Sequence, residues 1–234
     1  MKNMQQTWIK GIRRAIVYLG IICAVQFFIS SSLAMRVYPG GTIHDRESEG
    51  YAFFDNYFSD LGRNRAWNRQ PNHRSNLYFQ YSLLLVGGSL VLFFLVLPSY
   101  FSEAEAQFIA VIAAVCGVIA ALCYIGIALT PLDFNYHRHT LFVRAGFIAF
   151  LTMCFFYASA IFNEPGYPNR YAWALLIFAA ILFIQVAIML GGPRSWHSPE
   201  ALRLQATAQK IVVYAEMLCM LYQLIGVLRK EKIG

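Results

Sequence analysis

Apolar residues gather along this chain in six runs of near-membrane length, and the polar residues collect between them. About 20 consecutive apolar residues carry a helix across the hydrocarbon core of a bilayer. The runs fall at roughly 15–36, 77–100, 107–130, 141–163, 171–191 and 209–228. Inside lipid no water is available to bond backbone N–H and C=O groups, which leaves helix as the state for each run. The pattern predicts an all-α, polytopic membrane protein: a six-transmembrane-helix bundle with a long polar outer loop between helices 1 and 2. No fixed-period repeat or heptad divides the chain, so 1–234 reads as a single membrane domain.

Composition agrees with the pattern. A chain that is 58% hydrophobic and only 13% charged is not an ordinary soluble domain. The first run has a basic segment before it and Ser32-Leu33-Ala34 at its end, which imitates a signal peptide; we read it as a retained first helix. Cys23, Cys116, Cys123, Cys154 and Cys219 all fall inside runs with no CxxC spacing, so neither a disulfide framework nor a zinc-thiolate site is expected. Gly87-Gly88 in the second run reads as a close helix contact, and Gly191-Gly192-Pro193 as a helix stop.

Six spans return the chain to the face on which it started. That face carries Lys2, Lys10, Arg13, Arg14, Arg229, Lys230 and Lys232, which the positive-inside rule places in the cytoplasm. The outer connections are then 37–76, 131–140 and 192–208. They hold all five histidines (His44, His73, His137, His139 and His197) together with Asp45, Asp55, Asp60 and Asp133. Loops gather polar residues in any case, so this asymmetry fits either a site or a solvated rim.

Three polar features stand out. In FSDLGRNRAWNRQPNHRSNLYF (58–79), Ser59-Asp60-Leu61-Gly62 reads as a turn, followed by Arg63, Arg65, Arg69 and Arg74 with Trp67 among them. Guanidinium forks suit phosphate or carboxylate; the plainer reading pairs them with Asp45, Glu47, Glu49 and Asp55. In the second block, residues 129–147, Pro131 ends a helix ahead of Asp133, His137 and His139. If the segment is extended the two histidines share a side. If it is helical they diverge, and Asp133 shares a face with His137. A divalent metal such as zinc would use His137 and His139, with His44, His73, His197 or Asp60 completing the set, since zinc needs three or four ligands. Third, Arg144 and Glu216 lie within spans, where ionisable groups face the bundle interior and can pair; Gln80 and Gln185 are candidates to join them.

The blocks SDLG, NHRSNLYF and TPLDFNYHRHTLFVRAGF resemble the bacterial DUF 998 membrane proteins, and more distantly the Frag/DRAM/Sfk group, which includes a GPI-anchor remodelling factor. The resemblance implies a six-helix bundle in a bacterial inner membrane with a polar site at its outer mouth, formed by Ser59, Asp60, Asn76, Asp133, His137 and His139. It implies no established reaction. This chain has Thr130-Pro131 in place of an aromatic-Pro and His-Arg-His in place of an adjacent His pair. A looser likeness to seven-helix hydrolases of the ceramidase type stops at the span count and the missing HxxxH.

Two functions remain open on these residues. One is binding of membrane lipid headgroups, or of a membrane protein partner, through Ser59, Arg63, Arg65, Arg69, Arg74, Asn76 and Arg144. The other is a lipid-modifying hydrolase or transferase, with His137 or His139 as base and Asp60 or Asp133 orienting it or ligating a metal. Nucleic acid is not an expected partner of an outer membrane face, and a transporter would hold its polar groups nearer the midplane.

Overall fold

The computed structural model describes residues 2–233, and side chains from 7 to 231. Its helices are α1 (Lys2–Arg36), α2 (His73–Val96), α3 (Ala104–Leu129), α4 (Tyr136–Phe162), α5 (Arg170–Gly191) and α6 (Pro199–Ile233). All six are long and apolar enough to cross a membrane. Each packs on the next in chain order, and α6 returns against α1, closing a ring.

Helices that are apolar on every side belong in lipid, and the two faces then differ by side-chain size. On α3 the inward positions are small: Ala106, Ala110, Ala113, Gly117, Ala120 and Ala121 are buried. Phe108, Val111, Val115, Ile119 and Leu122 of the same helix are exposed on the outside of the ring. Small inward residues let membrane helices approach closely. Gly87 does this for α2: a Cβ there would lie 2.8 Å from Ile125 Cγ1 and 3.0 Å from the Ala121 carbonyl oxygen. Gly88 faces open space, so only the first glycine of the pair serves the contact. The five cysteines are free and lie within the helices.

At the face that carries both termini the connections are short. Glu164 is buried there, accepting from the Ser102 N–H (3.0 Å), the Ser102 hydroxyl (2.6 Å) and the Glu103 N–H (3.2 Å), and pairing with Lys230. One carboxylate thus joins the start of α3, the α4–α5 turn and the end of α6. Arg13 and Arg14 of α1 pair with Glu231 at 3.3 and 2.9 Å.

The opposite face is covered by the 37–72 segment, which holds one 3₁₀ turn, Phe58–Gly62. Its turns need glycine: Gly41 has φ +83°, and a Cβ there would lie 2.4 Å from the Asn68 nitrogen. The segment is fastened across the helix ends. His44 Nε2 donates to the Ser195 carbonyl (2.8 Å), Arg203 pairs with Asp55 (3.0 Å), and the Phe58 N–H donates to Gln209 (2.9 Å).

Three expectations change. The last span begins at Pro199 and not at 209; Gln205, expected in the 192–208 loop, turns inward and is buried, as is Lys210 one turn further on. The fourth begins at Tyr136, where Asn135 caps it by accepting from the Arg138 N–H at 3.0 Å. His73, His137 and His139 therefore sit in first helical turns rather than in loops.

Candidate functional site

Asp60 organises the covering segment. It is fully buried, and its carboxylate accepts from the Tyr57 N–H (2.8 Å), Asn56 Nδ2 (3.2 Å) and Trp67 Nε1 (2.8 Å). Burial raises its pKa, against the pull of nearby Arg63 and of these three donors. Asn72 and Asn76, at the start of α2, reach back to the carbonyls of the same turn: Asn72 Nδ2 to Leu61 (3.0 Å) and Arg63 (2.9 Å), Asn76 Nδ2 to Gly62 (3.2 Å) and Arg63 (3.1 Å). Buried amides satisfy carbonyls that would otherwise lose their water partners. The SDLG turn is thus held from both sides, and its geometry is structural.

Beneath the segment lies a cavity of about 460 Å³, bounded by α4, α5, α6 and the turn at 192–196. Arg63, Arg144 and Arg194 line it, and no Asp or Glu does. Among the described residues none of these arginines stands within ion-pair distance of a carboxylate. Arg63 stacks on Trp67, 3.9 Å from the ring centroid. Tyr57 also lines the wall, with its phenol pushed up to about 12 by burial, so it is neutral. Gln185, buried on α5, also lines it, and its Oε1 is enclosed with no partner among the described residues.

The cavity narrows toward the bundle. Ser59, His139, Val143 and Gln209 line both it and a second, smaller space of about 60 Å³. That slot is apolar: Phe27, Phe58, Phe79, Leu83, Val86 and Phe147 are among its walls. It follows α6 from Gln209 to Met217, about 12 Å at the helical rise per residue. Glu216, also in its wall, takes a 2.5 Å hydrogen bond from the Tyr124 hydroxyl. The two spaces together are amphipathic, cationic at the covered mouth and oily within.

His139 stands at the junction. It is 3% exposed, its Nδ1 lies 2.7 Å from the Thr130 carbonyl, and its Nε2 has no partner. His137, two residues away on the same helix, is exposed and packs edge-on to Tyr136. Two positions apart on a helix point to different faces, so the histidines do not converge. Asp133 is exposed and clamps the covering segment instead, accepting from the Asn64 and Arg65 N–H groups at 3.0 and 2.9 Å. With the Asp60 and Asp133 carboxylates engaged and the histidines divergent, no three His, Cys, Asp or Glu side chains among the described residues group around a common metal position. The donor set does not fit zinc or another divalent ion.

Of the arginines expected to bind a ligand, Arg63, half-buried, and Arg144, exposed, line the cavity, while Arg65, Arg69 and Arg74 do not. The expected pairing with acidic loop residues does not occur; Asp55 pairs with Arg203 and Asp45 accepts from the Glu47 N–H at 3.0 Å. Nor does Arg144 pair with Glu216, since it faces the outer cavity and Glu216 is hydrogen-bonded to Tyr124. Sequence reasoning missed Arg194, Gln205 and Lys210. Lys210 is buried and donates to the Asn56 carbonyl; a charge inside the 209–228 run was its only signal.

A family model described as "Protein of unknown function (DUF998)" matches residues 37–223. No curated protein and no solved structure matches the chain.

Proposed function

The chain belongs to the DUF998 family, and on that premise we propose that this membrane protein binds an anionic amphiphile, with the headgroup in the arginine-lined cavity and an apolar tail in the slot. The single observation that carries the reading is charge: three arginines and no carboxylate line a cavity of about 460 Å³ that continues into an oily space. Guanidinium groups that line a partly enclosed site without an ion-paired carboxylate favour phosphate, for which planar bidentate donors are suited. Trp67, Tyr57 and Trp196 in the same wall suit the interfacial zone where headgroups lie. The cations beside both termini support placing those termini in the cytoplasm, so that the covered mouth opens on the outer leaflet.

The test is binding to the purified full chain in neutral detergent, followed by native mass spectrometry and by competition. Long-chain lysophosphatidic acid is expected to bind, while glycerol phosphate without a chain and zwitterionic phosphatidylcholine compete weakly. A charge-assisted hydrogen bond contributes roughly 1.5–3 kcal/mol, and 1.4 kcal/mol is tenfold in affinity. Arg144→Gln and Arg194→Gln are therefore each expected to weaken binding about tenfold. Equal affinity for the zwitterionic lipid, or no effect of either substitution, overturns the reading.

A second reading, acyl hydrolysis or transfer, draws on Ser59 and His139 lining the same junction. Free fatty acid released during the binding assay, and lost in Ser59→Ala, is the result that would favour it.

A further inference from the structure

The outer cavity is roofed toward the water and open toward the lipid. Ile43, Tyr57, Arg63 and Trp67 of the covering segment line it, and His44 ties that roof to Ser195 at 2.8 Å. Its side walls are α4 and α5. From their middles to the face with the termini these helices touch: the rings of Phe150 and Phe178 lie 5.8 Å apart, and those of Phe162 and Trp173 5.5 Å. Toward the opposite face the cavity lies between them, with Thr140 and Arg144 on one wall and Gln185, Met189 and Leu190 on the other. Exposure marks the outside of each helix. Leu141, Ile148 and Phe155 of α4, spaced seven residues apart, form its exposed stripe. Arg144 is three positions after Leu141 and four before Ile148, hence on that same face, and it is exposed. On α5, Phe183 and Leu190 are seven apart and exposed. Arg144 and Leu190 therefore belong both to the cavity wall and to the exterior of the bundle, so the cavity reaches the lipid between them.

We propose that the gap between the outer ends of α4 and α5 is a lateral portal, through which an anionic phospholipid enters from the surrounding leaflet, its phosphate drawn past Arg144. The portal deepens the anionic-amphiphile reading and rests on it. Arg144 stands eight residues inside α4, about 12 Å along the helix, near the boundary between headgroups and chains. A lipid-facing arginine at that depth is costly unless it reaches water or an anion, and no described carboxylate pairs with it. A phosphate that passes it meets Arg63 and Arg194 in the same cavity. The side opening also admits a lipid with two chains. One chain enters the slot beside Phe79 and Phe147, while the other stays in the bilayer through the gap. An anion arriving from the water meets the roof instead.

The experiment places the photo-crosslinker p-benzoylphenylalanine at Leu190 in the full chain and, in a second variant, at Leu129, which is exposed in the last turn of α3 and outside the cavity. Both side chains face lipid, so the probe leaves the core packing intact. Each variant is reconstituted in vesicles of phosphatidylglycerol with an excess of phosphatidylcholine, irradiated, and its adducts weighed by mass spectrometry. At Leu190 phosphatidylglycerol is expected about fivefold above its share of the vesicle, the ratio that one partly exposed charge pair gives. At Leu129 the adducts should follow the vesicle composition. Arg144→Gln should return the Leu190 adducts to that composition, and Arg74→Gln, an exposed arginine outside the cavity, should not. Leu190 adducts in the vesicle ratio, or none while Leu129 gives them, overturn the portal; lysophosphatidic acid binding in detergent then leaves the site standing. Enrichment that survives Arg144→Gln overturns the part given to Arg144. Wild-type protein that binds no lysophosphatidic acid in detergent overturns the site itself.

Discussion

Asp60 illustrates how one buried carboxylate can act as a scaffold. Of its three donors, Asn56 and Tyr57 meet Oδ2 and Trp67 meets Oδ1, so a neutral amide strands the donors on one side whichever way it turns. Asp60→Asn offers one acceptor and adds a donor facing other donors, so a loss of about 2–3 kcal/mol is expected, read as a lower thermal midpoint and faster proteolysis between residues 37 and 72. The pH dependence follows from burial, which raises the folded pKa above the unfolded value of about 3.9. The folded state then binds its proton more tightly, so the contribution of Asp60 is fully present below the unfolded pKa and is lost as pH rises through the folded one. Asp60→Asn should abolish that slope. The polar block was legible in the sequence as something organised; that Asp60, Asn72 and Asn76 hold it together was not. The same side chains serve either end, and only their partners tell the two apart.

At the scale of helices, periodicity located every span and misplaced several ends. Where the chain changes from apolar to mixed, as across Leu202 to Lys210, a sequence offers no way to see that an inward side chain has a partner waiting. Gln205 donates to the Ile188 and Pro193 carbonyls at 2.8 and 3.1 Å, contacts with residues on another element. The α2–α3 seam was more readable, since paired glycines in a span already signal close approach. The structure divides the pair. Gly87→Val would drive carbon into Ile125 and the Ala121 carbonyl, and overpacking of this kind costs about 1–3 kcal/mol. Gly88→Ala meets open space and should leave the thermal midpoint unchanged or raise it, since alanine is the better helix former. Parallel melts of the two variants check this; equal loss in both would refute the division.

For the whole molecule the informative quantity is the distribution of charge. Arg13, Arg14 and Lys230 at the face with the termini are paired with Glu231 and Glu164. At the other face none of Arg63, Arg144 and Arg194 is paired among the described residues. Both faces carry cations, so orientation is a measurement worth making. The five native cysteines lie in the helices, four buried and one half-buried, which permits added thiols to be read singly. Lys10→Cys is expected to react with an impermeant maleimide only after the cytoplasmic face is opened, and Glu47→Cys in intact cells; the reverse pattern would turn the protein over. A bundle of six helices was foreseeable from hydrophobicity alone. A cavity shared by α4, α5, α6 and a segment before α2 was not, because its walls are far apart in the chain.

That separation bears on how the protein is made. The bonds from Phe58 to Gln209 and from His44 to Ser195 each bridge 151 residues, and those from Arg203 to Asp55 bridge 148. At about 5–20 residues per second of synthesis, the covering segment emerges roughly 8–30 s before the residues that fasten it exist. Until then its local bonds, centred on Asp60, Asn72 and Asn76, hold its shape, joined by the Asp133 clamp once that residue, 69 positions after Asn64, has emerged. The inward polar network is therefore also a means of waiting, keeping a water-facing segment ordered while the last helix is still on the ribosome.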